Sequence, residues 1–211
     1  MKLQLAIDLE DVDGAIELIK KTKDSVDVFE YGTPLVINFG LEGFKKIREA
    51  FPDITLLADI KIMDVASYEV GQASKYGADI TTILAAAEDQ SIKDAVEEAH
   101  KDGKELLVDM IGIEDVATRA REIDAMGADY IATHTGYDLQ ALGQTPFETF
   151  RTIKANVKNT KTAVAGGIKI DTAEQIIAEK PDLLIVGGGI ATVDDPAKAA
   201  SEIKAMIEKG A

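Results

Sequence analysis

The chain has 211 residues, 46% of them hydrophobic and 29% charged, with a net charge of −15. That length suits one domain with a sizeable core and is too short for two ordinary ones. The acidity argues against nucleic acid and anionic membrane as partners, no apolar run nears the ~20 residues that span a bilayer, and the absence of cysteine excludes disulfides and thiolate chemistry.

The N-terminal MKLQLAIDLED reaches an acid at Asp8 before a signal-peptide core could form, so a cytoplasmic location is expected. Leu3–Leu9 is the first of eight short apolar runs, and the helical pattern DGAIELIKKTK follows it. Val26–Tyr31 carries Glu30, and Ile54–Lys61 carries Asp59 and leads into Asp64. Asp79–Leu84 follows a Gly-Ala-Asp junction and precedes the amphipathic SIKDAVEEAHKDG. Glu105–Met110 carries Asp109, and VATRAREIDAMG returns through a second Gly-Ala-Asp to Tyr130–His134. The longest polar connection, Thr135–Pro146, comes next and is the candidate lid. Thr162–Ala165 ends in Gly166-Gly167, and Leu183–Val186 ends in Gly187-Gly188-Gly189.

Near-continuous apolar strings are expected of parallel strands buried on both faces. The run ends recur every 22 to 31 residues, at Asp8, Glu30, Asp59, Leu84, Asp109, His134, Ala165 and Gly187. A strand, a loop and a three- to four-turn helix take about 25 residues, so eight units predict a closed (β/α)8 TIM barrel over residues 1–211 as a single domain. An open doubly wound sheet is the alternative, and the even spacing favours closure.

Parallel strands place their C-terminal ends on one rim, where barrel enzymes build their active sites. Here that rim holds Asp8, Glu30, Asp59, Lys61, Asp64, Asp109 and His134. Period-two alternation puts Asp59 and Lys61 on one face of strand three. Flanking carboxylates favour the charged lysine, as an electrostatic clamp or general acid; a buried structural ion pair is the plainer reading. Glu30 and Asp59, on neighbouring strands, offer oxygen ligands to a hard cation such as Mg²⁺. With no cysteine and two histidines, zinc does not fit. The glycines Gly166, Gly167, Gly187, Gly188 and Gly189 would let backbone N–H groups cradle a phosphate, unless they serve tight turns alone. His134 could move a proton on a substrate carbon or oxygen, whereas His100 lies in a Lys- and Glu-rich helix and reads as a surface residue.

These segments, LQLAIDL, VFEYGTPLVINFG, LLADIKIMD, LLVDMIG, HTGYDLQA, TAVAGGI and LIVGGGI, occur in order along essentially the whole chain. In them the sequence resembles the 3-hexulose-6-phosphate synthases of the orotidine-monophosphate decarboxylase superfamily, whose signature D-x-K-x-x-D is Asp59, Lys61 and Asp64 here. The resemblance implies Mg²⁺ (or Mn²⁺) on Glu30 and Asp59, and Asp8, Lys61 and Asp109 around the substrate. It implies His134 as acid/base and the glycines as phosphate cradle. It further implies a homodimer with Asp64 crossing into the partner's site. The expected reaction joins formaldehyde to D-ribulose 5-phosphate through a Mg-stabilised 1,2-enediolate. The related 3-keto-L-gulonate-6-phosphate decarboxylases carry arginines where this chain has Tyr137 and Gly188. A Schiff base at Lys61 is disfavoured by its carboxylate neighbours. A sugar-phosphate binding protein without turnover is the non-enzymatic alternative.

Overall fold

The computed structural model describes residues 1–9, 11–140 and 142–210. Eight parallel strands close into one barrel in sequence order. They are β1 (Lys2–Ile7), β2 (Val28–Tyr31), β3 (Thr55–Ile62), β4 (Ile80–Leu84), β5 (Glu105–Asp109), β6 (Tyr130–His134), β7 (Lys161–Ala165) and β8 (Leu183–Val186). The outer ring is α1 (Val12–Thr22), α2 (Thr33–Ala50), α3 (Ala66–Lys75), α4 (Asp89–Lys101), α5 (Val116–Met126), α7 (Phe147–Asn156), α8 (Ile170–Ala178) and α10 (Pro196–Gly210). Two four-residue helices, α6 (Tyr137–Gln140) and α9 (Gly188–Ala191), lie in the loops after β6 and β8. The expected closed barrel is therefore the observed fold. None of the described helices is long and apolar enough to cross a membrane.

The strands form because their apolar residues find cover on both sides. Inward-facing Val28, Leu57, Ile80, Leu107, Tyr130 and Leu183 fill the barrel axis. Outward-facing residues pack under the helices in two half-rings. One joins β1, β2 and β8 to α1, α2, α8 and α10 through Leu5, Phe29, Phe44, Leu184 and Ile203. The other joins β4, β5 and β6 to α3, α4, α5 and α7 through Ile83, Val108, Ile131, Ile92 and Ile153. Ile60 touches both. Aspartates cap two helix starts: Asp11 accepts the Gly14 N–H at 2.6 Å and Asp115 the Thr118 N–H at 3.1 Å.

At the opposite, N-terminal end, four aspartates immediately precede the even strands. Asp27, Asp79, Asp129 and Asp182 each accept a backbone N–H from the preceding odd strand, from Leu3 (2.7 Å), Leu56 (3.0 Å), Leu106 (2.9 Å) and Thr162 (2.7 Å). Each returns its own N–H to the carbonyl of that same residue. Cations complete two of the clasps, Lys204 on Asp27 and Arg48 with Lys104 on Asp79, and a ring nitrogen of His100 lies against Asp129. The Gly-Ala-Asp junctions thus end a helix and begin a clasp in three residues.

Candidate active site

A cavity of about 920 Å³ opens at the C-terminal end of the barrel. Asp8, Glu30, Asp59, Lys61, Asp109 and His134 line it, as do Gly166, Gly167, Gly187, Gly188 and Gly189. Asp64 does not; it is exposed, ahead of α3, outside this cavity.

The acidic end is built on β1 to β4. Glu30 is buried, and its Oε2 accepts the Gln4 side-chain N–H at 2.6 Å. Asp59 is also buried, with both oxygens engaged. Its Oδ2 accepts the Thr33 hydroxyl at 2.8 Å and the Lys61 ammonium, and its Oδ1 accepts the Thr82 hydroxyl at 3.0 Å. The regular alternation expected of Asp59 and Lys61 is not how they come together. The β3–β4 register shifts between Ala58 and Ile62, and Lys61 adopts a left-handed φ of 49°. A β-bulge, invisible to a period-two pattern, aims both side chains into the mouth.

The electrostatics follow from this crowding. Burial, then the charges of Asp59 and Asp8, push the Glu30 carboxyl well above the usual carboxylate range. Partial desolvation at the mouth and the Asp59 charge raise Asp8 too, while Lys61 and His134 pull it back. Burial works against the Lys61 ammonium. The Asp59 charge and hydrogen bond, with Asp109 and Glu30, outweigh it and hold Lys61 above its ordinary value. Lys61 is thus a fixed cation, as the sequence leads one to expect.

This donor set fits a hard divalent cation. Glu30 keeps Oε1 free of the Gln4 bond, Asp59 faces the same space, and a cation there would relieve the repulsion that penalises Glu30. Among the described residues no group of three or more His, Cys, Asp or Glu side chains gathers around one point. Two carboxylates with open positions suit a cation that retains water.

Across the cavity, His134 ends β6. Its Nδ1 lies 2.8 Å from Asp109 Oδ2, and Asp109 Oδ1 accepts the Ile111 N–H at 2.9 Å. An ionised carboxylate only accepts, so in the neutral imidazole the ring proton belongs on Nδ1 and Nε2 is the nitrogen able to accept one.

The far end is made by the loops after β7 and β8. Four of the five glycines divide by cause, and the fifth, Gly167, sits at a left-handed φ of 69°. A Cβ on Gly166 would stand 2.3 Å from the Thr135 carbonyl oxygen, and one on Gly189 2.4 Å from that of Ile168. Packing alone forbids a side chain at both. At Gly187 and Gly188 the nearest atoms would be 3.7 and 3.4 Å away, so packing does not require glycine there, and bare backbone faces the cavity. Asp8 links the two ends: its Oδ1 lies where a Cβ on Gly32 would be, 2.1 Å from that position, and its Oδ2 lies 3.8 Å from that of Gly187.

Sequence reasoning missed Gln4, Gly32, Thr33, Thr82 and Lys169. Gln4 and Thr82 were legible in principle, as polar residues inside the apolar strings LQLAI and ITTIL. Gly32 and Thr33 stand directly after Glu30-Tyr31. Lys169 stands two residues after the first glycine pair and lines the cavity.

Known proteins share this fold and sequence. The model of the orotidine 5'-phosphate decarboxylase / HUMPS family matches residues 1–203. A 3-hexulose-6-phosphate synthase of Staphylococcus aureus (strain bovine RF122 / ET3-1) is 59% identical over 208 residues, covering 99% of both chains. The crystal structure of 3-hexulose-6-phosphate synthase from Salmonella typhimurium superposes with a TM-score of 0.97 at 36% identity, over 100% of each chain. That of KGPDC from Streptococcus mutans superposes at 0.86 with 25% identity, over 99% of this chain and 97% of that one. The chain is an enzyme and belongs to the orotidine 5'-phosphate decarboxylase / HUMPS family.

Proposed function

We propose that the chain condenses formaldehyde with D-ribulose 5-phosphate to give D-arabino-3-hexulose 6-phosphate, reversibly. The observation that carries this reading is one cavity with two chemically distinct ends. An acid–lysine cluster faces a carboxylate-braced histidine at one, and glycine loops present open backbone at the other. The 59% identity to a relative named 3-hexulose-6-phosphate synthase supports the choice of sugar and aldehyde.

The loops at Gly166-Gly167 and Gly187-Gly188-Gly189 seat the phosphate on backbone N–H groups. His134 Nε2 removes a proton from C1, and the electron pair left behind spreads to the C2 oxygen as a 1,2-enediolate. Lys61, already charged and fixed by Asp59, faces the developing negative charge without having to reorganise. C1 then attacks the formaldehyde carbon, forming the new C–C bond, and the aldehyde oxygen takes up the proton from His134. Asp109 holds the imidazole in the productive tautomer throughout, and Asp8 lines the path between the two ends. Glu30 and Asp59 would hold Mg²⁺, or Mn²⁺, which supplies Lewis-acid stabilisation of charge on substrate oxygens when bound.

The active unit is a homodimer in which Asp64 of the partner subunit completes each site. Its support is that Met63 and Val65, which flank Asp64 in the chain, and Tyr68, one turn on, are large apolar residues left exposed. No membrane or nucleic-acid partner enters this reading.

The test is formaldehyde consumption with ribulose 5-phosphate, run beside CO₂ release from 3-keto-L-gulonate 6-phosphate. Formaldehyde should disappear, EDTA should stop it, and borohydride should trap nothing at Lys61. CO₂ release without formaldehyde consumption would replace this reading with the decarboxylase. Ribulose 5-phosphate binding without turnover would replace it with a binding protein.

A further inference from the structure

Asp59 and Lys61 occupy the least regular stretch of the barrel. The ladder between β3 and β4 skips from Ala58 to Ile62, and Lys61 sits at φ 49°. The left-handed conformation strains an L-residue, and a bulge leaves a ladder group unpaired. Both must be compensated, because the two side chains that need exact placement hang on this segment.

The compensation comes from a single hydroxyl. Thr82, in the middle of β4, is 4% exposed. Its Oγ1 accepts the Lys61 backbone N–H at 2.9 Å and donates to Asp59 Oδ1 at 3.0 Å. An N–H can only donate and an ionised carboxylate can only accept. The hydroxyl's single proton therefore points to Asp59 and a lone pair points to Lys61. One side chain thus meets the unpaired N–H of the bulge and fixes the rotation of the carboxylate. On the other side, Thr33 holds Asp59 Oδ2, so the carboxylate is gripped at both oxygens.

We propose that Thr82 is a positioning residue for this site: its hydroxyl clamps the β3 bulge and sets where Asp59 and Lys61 point. This rests on the reading of Asp59 as a cation ligand and Lys61 as the fixed positive charge. A Thr82 that merely filled space and satisfied a strand N–H would affect stability and little else.

The comparison is Thr82→Val, which keeps the shape and removes the hydroxyl, against Thr82→Ser, which keeps the hydroxyl. Each is measured for thermal melting, Mn²⁺ affinity by the EPR signal of free ion, and kcat and KM. Thr82→Val should weaken Mn²⁺ binding and lower kcat by about 10–100-fold each, the usual range for losing a group that orients a ligand. KM for ribulose 5-phosphate should stay near the native value, because the glycine loops are untouched. Thr82→Ser should restore most of both. Should Thr82→Val fail to fold, Thr82→Ala supplies the same hydroxyl-free comparison. Native Mn²⁺ affinity and kcat in the hydroxyl-free variant, or a serine variant as poor as the valine one, would overturn the inference. A wild-type protein that neither binds Mn²⁺ nor consumes formaldehyde would overturn the proposed function itself and this inference with it.

Discussion

Replacing Asp109 by Asn exchanges one oxygen for an NH₂ group at nearly constant volume. Asp109 is buried and uses both oxygens as acceptors, Oδ1 from the Ile111 N–H at 2.9 Å and Oδ2 from His134 Nδ1 at 2.8 Å. An amide has one acceptor and must choose. With its oxygen on Ile111, its NH₂ faces His134, Nδ1 becomes the acceptor and the ring proton moves to Nε2, which ceases to be a base. With its oxygen on His134, two donors face each other at Ile111, and a buried unsatisfied N–H costs about 1–3 kcal/mol. The unproductive arrangement is then favoured by about 5–150-fold. The remaining fraction also lacks the carboxylate that stabilises the imidazolium. Together these should lower kcat by about 10²–10⁴-fold. KM and melting temperature should stay close to native, since neither the glycine loops nor the core changes. Formaldehyde-consumption kinetics measure the first, and ¹⁵N NMR of the imidazole reports which nitrogen carries the proton. Native kcat with Nδ1 still protonated would refute the reasoning.

The shared site can be tested by mixing two inactive variants, Asp64→Asn and His134→Ala. If Asp64 crosses between subunits, half of the randomly assorted dimers carry one intact site, and activity should recover to about a quarter of native in a twofold-symmetric assembly; no recovery would place Asp64 outside the partner's site. Lys169→Met, a change at an exposed residue, should raise KM for ribulose 5-phosphate by about fivefold, the value of one exposed charge, with kcat unchanged; an unaltered KM would leave the phosphate to the backbone alone. At the other end of the barrel, burial acts against the Asp79 charge. Hydrogen bonds from Lys104 and the Leu56 N–H, with the Arg48 charge, outweigh it and hold the carboxyl below the usual range. Its stabilising effect is therefore complete above the ordinary carboxylate pKa and is lost as pH falls through the lowered value. Asp79→Asn should cost about 1–2 kcal/mol at neutral pH, allowing for solvent screening. In denaturant titrations the gap to native should close on acidification; a gap that stayed constant would count against the clasp.

The barrel was legible because its strands are buried on both faces, so the apolar strings and their spacing carry the topology directly. The rim residues were legible for a related reason: a charge ending an apolar string has few places to go other than the mouth. Geometry that depends on a register shift was not. Asp59 and Lys61 fall on the expected face, yet the bulge that puts them there leaves no period in the sequence, and its keystone is a threonine among other strand threonines. The glycine clusters were read as one feature, and structure separates them into positions closed by packing at Gly166 and Gly189 and positions open to the cavity at Gly187 and Gly188. Asp64 is expected on the rim from its place after strand three, yet a single chain holds it away from the cavity.

The aspartate clasps carry a consequence for how the ring comes apart. Each ties an odd strand to the following even one through a carboxylate and a backbone bond, whereas Asp79, Asp129 and Asp182 reach across to the next pair through one carbonyl only, toward Glu105, Lys161 and Lys2. At this rim the cylinder is a wheel of four clasped pairs, and the ladders run the other way: five register positions hold β4 to β5 and β6 to β7, against three for β5 to β6 and β7 to β8. Three of the four clasps thus reinforce the shorter or interrupted ladders, so removing one should expose the amides of both strands of its pair to exchange in step.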